Sequence, residues 1–325
     1  MKPNQVVRRV IDEARDWGQF AALSAGAWLA ARAAPALSAA ALEQLAVWQW
    51  PRAAAARQGL LHNVGHAVQR SCADPAVERL AQRAFRHLWL NYRDLLQAPR
   101  LDAGALHERV QIEGEAVLQR LRRQEQGAIL LGGHFAGGEL ALQALAARGW
   151  PALIAAERLQ PPALFDWMCR LRGTHGHRFA PSDALLTPVV RRLRQGGLVG
   201  LMMDRDTTGS GRTVMVCGAA ARLPVGALRL SVRLGVPIVP LHAQRRRNGS
   251  VQLTIHEPLA FVSTLAAEET LTNGLTALAA QLERLITWQP DQWVLTTPLW
   301  ETSAADASCS SHHTTSPYRA ASPST

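Results

Sequence analysis

The sequence is short of cysteine and of long apolar runs, and each shortage removes a class of protein. The four cysteines, Cys72, Cys169, Cys217 and Cys309, contain no CxxC pair. Neither a zinc ribbon nor a thioredoxin-type site is therefore indicated, and no metal is expected. Four thiols in 325 residues are too sparse for a disulfide scaffold, which favours a reducing, cytoplasmic setting. The longest uncharged stretch near the N-terminus, Trp17 to Ala31, is fifteen residues and ends at Arg32. A bilayer-spanning helix needs roughly 20. Asp12, Glu13 and Asp16 stand where a secretory signal would carry basic residues. No GxSxG follows a strand, which argues against a serine hydrolase. No RRM, KH, zinc-finger or clear helix-turn-helix signature appears, so no nucleic acid is expected as partner.

What is present is a globular composition, 48% hydrophobic and 18% charged. The net charge is +10, most of the positive charge being arginine. Such a surface attracts something anionic: nucleic acid, a membrane face or a phosphorylated substrate. Near the N-terminus Trp17, Phe20, Leu23, Trp28, Leu29, Leu37, Leu42, Leu45, Trp48 and Trp50 supply bulky apolar anchors. Arg8, Arg9, Arg32, Arg52 and Arg57 lie among them. This combination suits a helical segment lying on an anionic membrane surface, as well as an ordinary helical pair packed on a core.

Residues 1–125 read as helical, with Asp74-Pro75 and Asp102 as helix starts and no convincing strand before residue 127. From Gly127 the pattern alternates. Apolar runs at 128–131, 151–155, 198–203, 236–241 and 251–256, with a weaker one at 177–180, read as strands. Helical stretches stand between them, a long loop spans Asp204–Leu223, and a last helix runs from about Ala266 to Trp288. The expected fold is α/β, a central, mostly parallel sheet flanked by helices, with a helical N-terminal membrane-associating region. The expected division is 1–60 helical and interfacial, 61–301 the α/β domain, and 302–325 a Ser/Thr/Ala-rich disordered tail.

The chemistry concentrates where the first strand ends, at Gly132-Gly133-His134-Phe135-Ala136-Gly137-Gly138-Glu139. His134 falls in a strand-to-helix turn and Glu139 in the first turns of the helix. A turn residue can fold back towards that carboxylate. A carboxylate on one ring nitrogen fixes the tautomer and leaves the other nitrogen as a general base. Open α/β sheets place ligands at the carboxyl ends of their strands, and a helix N-terminus presents amides to an oxyanion or phosphate. By itself the His–Glu spacing is a weak signal; the flanking strand and double glycines give it weight.

This block resembles the "GHFGNWEL" signature of the bacterial lipid A biosynthesis acyltransferase family. That family includes the late lauroyl and myristoyl transferases of lipid A and the phosphatidylinositol mannoside acyltransferases. Two further blocks are similar in order. One runs from Met203-Asp204-Arg205-Asp206 through Cys217-Gly218 and Pro224–Leu230 to Gly235–Pro240. The other is Gln289-Pro290-Asp291-Gln292-Trp293. The resemblance covers roughly 60–300. Asp204-Arg205-Asp206 is closer to the mannoside acyltransferases than to the "DQD" of the lipid A enzymes. The family's Asn-Trp before the acid is Gly137-Gly138 here, and its Phe-Phe-Gly is Val216-Cys217-Gly218.

The resemblance implies a glycerolipid acyltransferase-like fold. It implies transfer of a fatty acyl group from a thioester, acyl-CoA or acyl carrier protein, to a hydroxyl of a membrane glycolipid, with no further cofactor. It makes His134 and Glu139 the catalytic pair, and Arg158, Asp204, Arg205 and Asp206 substrate-binding residues. It places the protein at the cytoplasmic face of the bacterial inner membrane, peripheral or monotopic. Two alternatives stand beside it: a non-enzymatic basic protein binding anionic lipid or nucleic acid, and an acyl-thioester hydrolase using the same histidine.

Overall fold

The computed structural model describes residues 35–261 and 266–301. The expected anchors before residue 35 and the tail after 301 lie outside the described residues. Three helices open the described chain: α1 (Pro35–Gln49), α2 (Ala54–Ala67) and α3 (Pro75–Gln97). Asp74 caps α3 by accepting from the Ala76 amide at 2.7 Å, with Pro75 in the first turn. Trp50, Leu60, Val64, Val77, Ala81 and Phe85 pack together where these helices meet. Trp50 is thus a core residue, edge-on to Phe85 at 5.4 Å, and not a surface anchor. The indole is too large to leave in water when a neighbouring helix offers an apolar face.

The expected domain boundary at residue 60 falls inside α2. There Asn63 donates to the carbonyls of Leu295 and Thr297 and accepts from the Leu299 amide, tying α2 to the end of the α/β domain. His62 and His66 pack against each other and Trp300, with His62 buried.

The α/β part runs α4 (Ala103–Arg109), β1 (Val110–Glu113), α5 (Glu115–Arg123), β2 (Ala128–Gly132), α6 (Gly138–Ala147), β3 (Ala152–Ala156), α7 (Pro162–Arg172) and β4 (Arg178–Pro181). It continues α8 (Leu186–Arg194), β5 (Leu198–Met202), β6 (Arg212–Val216), β7 (Ala219–Leu223), α9 (Gly226–Leu234), β8 (Ile238–Arg245), β9 (Val251–Ile255) and α10 (Ala267–Trp288). Seven strands form one sheet in the order β1-β9-β8-β2-β5-β3-β4. The stretch β8-β2-β5-β3-β4 is parallel throughout; β9 runs antiparallel to β8, and β1 parallel to β9.

Successive residues of β2 face opposite sides of the sheet. Ile129 and Leu131 join the core beneath α8, α9 and α10; Ala128 and Leu130 join the core beneath α5 and α6. Both faces are covered, so this strand is apolar at every position, as parallel strands are.

Two expectations about secondary structure are corrected. Val110–Glu113 is a strand, not helix: four residues carry too little local pattern, and pairing with β9, far along the chain, creates the element. The expected loop at 204–223 contains the hairpin β6–β7, turning at Cys217 and Gly218 with φ of 50° and 76°. Alanines at 219–221 hide it from propensity, while two consecutive positive φ values suit a two-residue hairpin turn. Arg245, the last residue of β8, is buried. It pairs with Asp94, which Arg93 also contacts at 2.8 Å. Among the described residues no helix is long and apolar enough to cross a membrane.

Candidate active site

β2 and β5 are parallel neighbours with Gly132 in register with Met202. Two residues beyond each strand stand His134 and Asp204. The same register that pairs the strands therefore brings abreast two residues 70 positions apart. The His134 ring nitrogen Nδ1 lies 2.8 Å from Asp204 Oδ1, and its backbone amide donates to Oδ2 at 2.7 Å. The Trp293 indole N–H donates to the same Oδ2 at 2.9 Å. Gly133 permits this approach: a Cβ there would meet the Phe135 ring at 2.6 Å and Asp204 Oδ2 at 3.2 Å.

Asp204 is completely buried. An uncompensated carboxylate there would cost several kcal/mol, and the three bonds offset that cost. Burial alone would raise its pKa; the charge and hydrogen bonds of His134, with the Trp293 indole, win and hold it below the usual range. For His134 burial opposes the charged form, but the Asp204 charge and hydrogen bond win and its pKa is raised, with Arg205 and Arg172 pulling the other way. The Asp204 bond assigns the Nδ1 proton and leaves Nε2 with its lone pair, on a side chain one-third exposed.

The turn carrying His134 is clamped from two sides. From α3, Asn91 donates to the Phe135 carbonyl at 2.9 Å and accepts from the Gly137 amide at 2.7 Å. From the C-terminal segment, the Gln292 carbonyl accepts from the Ala136 amide and the Val294 amide donates to the His134 carbonyl, each at 2.7 Å. Gly137 sits at φ 79°, where a side chain would also strike Val251 at 2.7 Å. Neither Asn91 nor Trp293 was given a role by sequence reasoning. Asn91 sits in an amphipathic helix like any polar residue, and only tertiary contact distinguishes it.

The other expected site residues are placed as follows. Glu139 does not bond His134. It lies in the first turn of α6 and takes a forked bond from Arg172 at the end of α7, with Nη2 to Oε1 at 2.5 Å and Nε to Oε1 at 3.0 Å. The expected His134–Glu139 contact is thereby replaced by His134–Asp204. The helical rise carries residue 139 towards α7, whereas the sheet register puts residue 204 beside the ring. Arg172 was not among the expected residues; no sequence motif marks it. Arg205 pairs with Glu157 at 2.6 Å, on the loops after β5 and β3. Arg158 is exposed beside Glu157. Asp206 braces its own loop, accepting from the Gly211 amide at 2.7 Å and from Thr208 and Arg222. Among the described residues no group of three or more His, Cys, Asp or Glu could hold a metal ion.

A histidine with its tautomer fixed by a buried carboxylate, at the carboxyl ends of parallel strands, can take a proton from a hydroxyl. Arginines within electrostatic reach can meet an anion. The comparison with known proteins gives this arrangement a context. The sequence profile of the bacterial lipid A biosynthesis acyltransferases matches residues 8–302. The chain belongs to that family.

It is an acyltransferase of lipid and glycolipid biosynthesis. The chain is 26% identical over 262 residues to the phosphatidylinositol mannoside acyltransferase of Mycolicibacterium smegmatis, covering 78% of this chain and 83% of that one. It is 29% identical over 178 residues to the protein of that name in Mycobacterium tuberculosis, covering 54% of each. The resemblance read from three ordered blocks, and the mostly parallel α/β sheet expected with it, agree with these findings.

Proposed function

We propose that this acyltransferase moves a fatty acyl group from acyl-CoA or acyl carrier protein to a hydroxyl of a membrane glycolipid, of the lipid A precursor or phosphatidylinositol mannoside type. The second type is favoured by the names of the relatives and by Asp204-Arg205-Asp206. The observation that carries the mechanism is the His134–Asp204 bond at the strand ends.

His134 Nε2 takes the proton of the acceptor hydroxyl as its oxygen attacks the thioester carbonyl. Asp204 stabilises the imidazolium without itself taking the proton, by the logic of a catalytic-triad acid. The tetrahedral intermediate collapses, the C–S bond breaks, and the imidazolium returns its proton to the departing thiolate. A thioester is already activated, so the cycle needs no covalent intermediate on the protein. Arg172, held by Glu139, and Arg205 and Arg158 supply positive charge for phosphate on donor or acceptor. Glu139 is then a residue that positions an arginine, and Asp206 shapes the loop that carries Arg205.

The acyltransferase works at the cytoplasmic face of the inner membrane, bound peripherally. Trp48 supports this reading: it is 53% exposed on α1, with the Arg52 guanidinium 4.2 Å above its ring.

The test is a transfer assay with labelled palmitoyl-CoA and total lipids of the source membrane, read by mass spectrometry. Wild type yields an acylated glycolipid, and His134→Ala loses it. Free fatty acid alone from wild type would replace transfer by thioester hydrolysis. Equal product from both proteins would sink the assignment of His134.

A further inference from the structure

We propose that Trp293 is a positioning residue of the acyl-transfer reaction, its indole N–H fixing Asp204 against His134. The inference rests on the role proposed above for the His134–Asp204 pair and adds to it the C-terminal segment.

Trp293 is fully buried, and its N–H is aimed at the one oxygen of Asp204 that the His134 ring does not use. Oδ2 thus takes two N–H donors, from the His134 backbone and the Trp293 indole, while Oδ1 faces the ring. A carboxylate held at both oxygens cannot rotate away from its histidine. The backbone of the same residue reinforces this. Phe135 and Trp293 form an antiparallel bridge, with hydrogen bonds from the neighbouring Ala136 and Val294 amides. One segment, Gln292 to Val294, therefore holds both halves of the pair: the turn through its backbone and the carboxylate through the indole.

The indole bond also draws charge from Asp204. Without it the carboxylate binds the His134 proton more strongly, and the neutral base is less available at a given pH. Trp300 provides an internal control. It is also buried, stands edge-on to Trp293 at 6.0 Å, and donates to the Val216 carbonyl instead of to Asp204.

The experiment compares the pH profiles of kcat/KM for wild type, Trp293→Phe and Trp300→Phe. A version with benzothienylalanine at 293 keeps the ring shape without the N–H, and stands in if Trp293→Phe fails to fold. Loss of the 293 N–H moves the acidic limb upward by about half to one pH unit and lowers kcat/KM at pH 7 by up to about 10-fold, with recovery at high pH. Trp300→Phe loses thermal stability and keeps the wild-type limb. A limb that stays in place or moves down without the 293 N–H, or moves equally in both variants, overturns the proposal. NMR titration of the His134 ring in the resting protein reads the same coupling without turnover. A ring that titrates higher in the 293 variants supports the inference even if no acyl transfer is found; an unchanged titration refutes it.

Discussion

Asp204 and Glu139 are two carboxylates bordering the same strand ends, and they have been put to different uses. Asp204 has no exposed surface and spends both oxygens on His134, with the indole as third donor. Glu139 retains some exposure and spends both oxygens on the Arg172 guanidinium. In sequence Glu139 is five residues from His134 and Asp204 is 70. Proximity along the chain therefore misleads here. Parallel pairing of β2 with β5 carries the distant residue to the ring, while the helix that begins between His134 and Glu139 carries the near one away.

The sharpest way to break this comparison is to neutralise each acid in turn. Asp204→Asn removes the charge that stabilises the imidazolium, and kcat falls by about 10³- to 10⁴-fold. The acidic limb of what activity remains moves to lower pH, because the Asp204 charge is what raises the His134 pKa against burial. Glu139→Gln frees Arg172 from its partner and costs about 10- to 100-fold in kcat/KM, with a far smaller movement of the limb. If steady-state kinetics show Glu139→Gln as damaging as Asp204→Asn, with the same pH signature, the division of labour is wrong.

Histidines without a bonded carboxylate extend the contrast. Burial pushes His242 and His87 down to about 4, the first aided by His256 and the second by Arg245. In the unfolded chain both titrate near the ordinary 6.5. The unfolded state therefore binds more protons between these values. The stability tied to the two neutral rings is present above pH 6.5 and lost as pH falls towards 4, by up to about 3 kcal/mol for each ring. Denaturant midpoints measured across that window should fall with pH, and His242→Phe should flatten the slope. His134, raised by Asp204, contributes with the opposite sign.

The smallest effect belongs to Arg205→Gln. Its pair with Glu157 is largely exposed, so stability changes by less than about 1 kcal/mol. The acidic limb moves slightly upward, since Arg205 opposes protonation of His134. A rise in KM for the charged donor, read in the transfer assay, would separate phosphate contact from this electrostatic influence.

The sequence taken alone determined the family, the reaction class and the strand-and-helix alternation after residue 127. These are legible because they rest on local signals: an apolar run closed by glycines, a helix capped by Asp74-Pro75, and three short blocks in fixed order. Tertiary structure alone decided which acid serves His134, that Arg172 completes the Glu139 site, that Asn91 and Trp293 hold the turn, and that β1 and the β6–β7 hairpin exist. Each of these depends on a partner far along the chain. Strand register and helix packing fix such partners, and neither is encoded in the spacing of neighbouring residues.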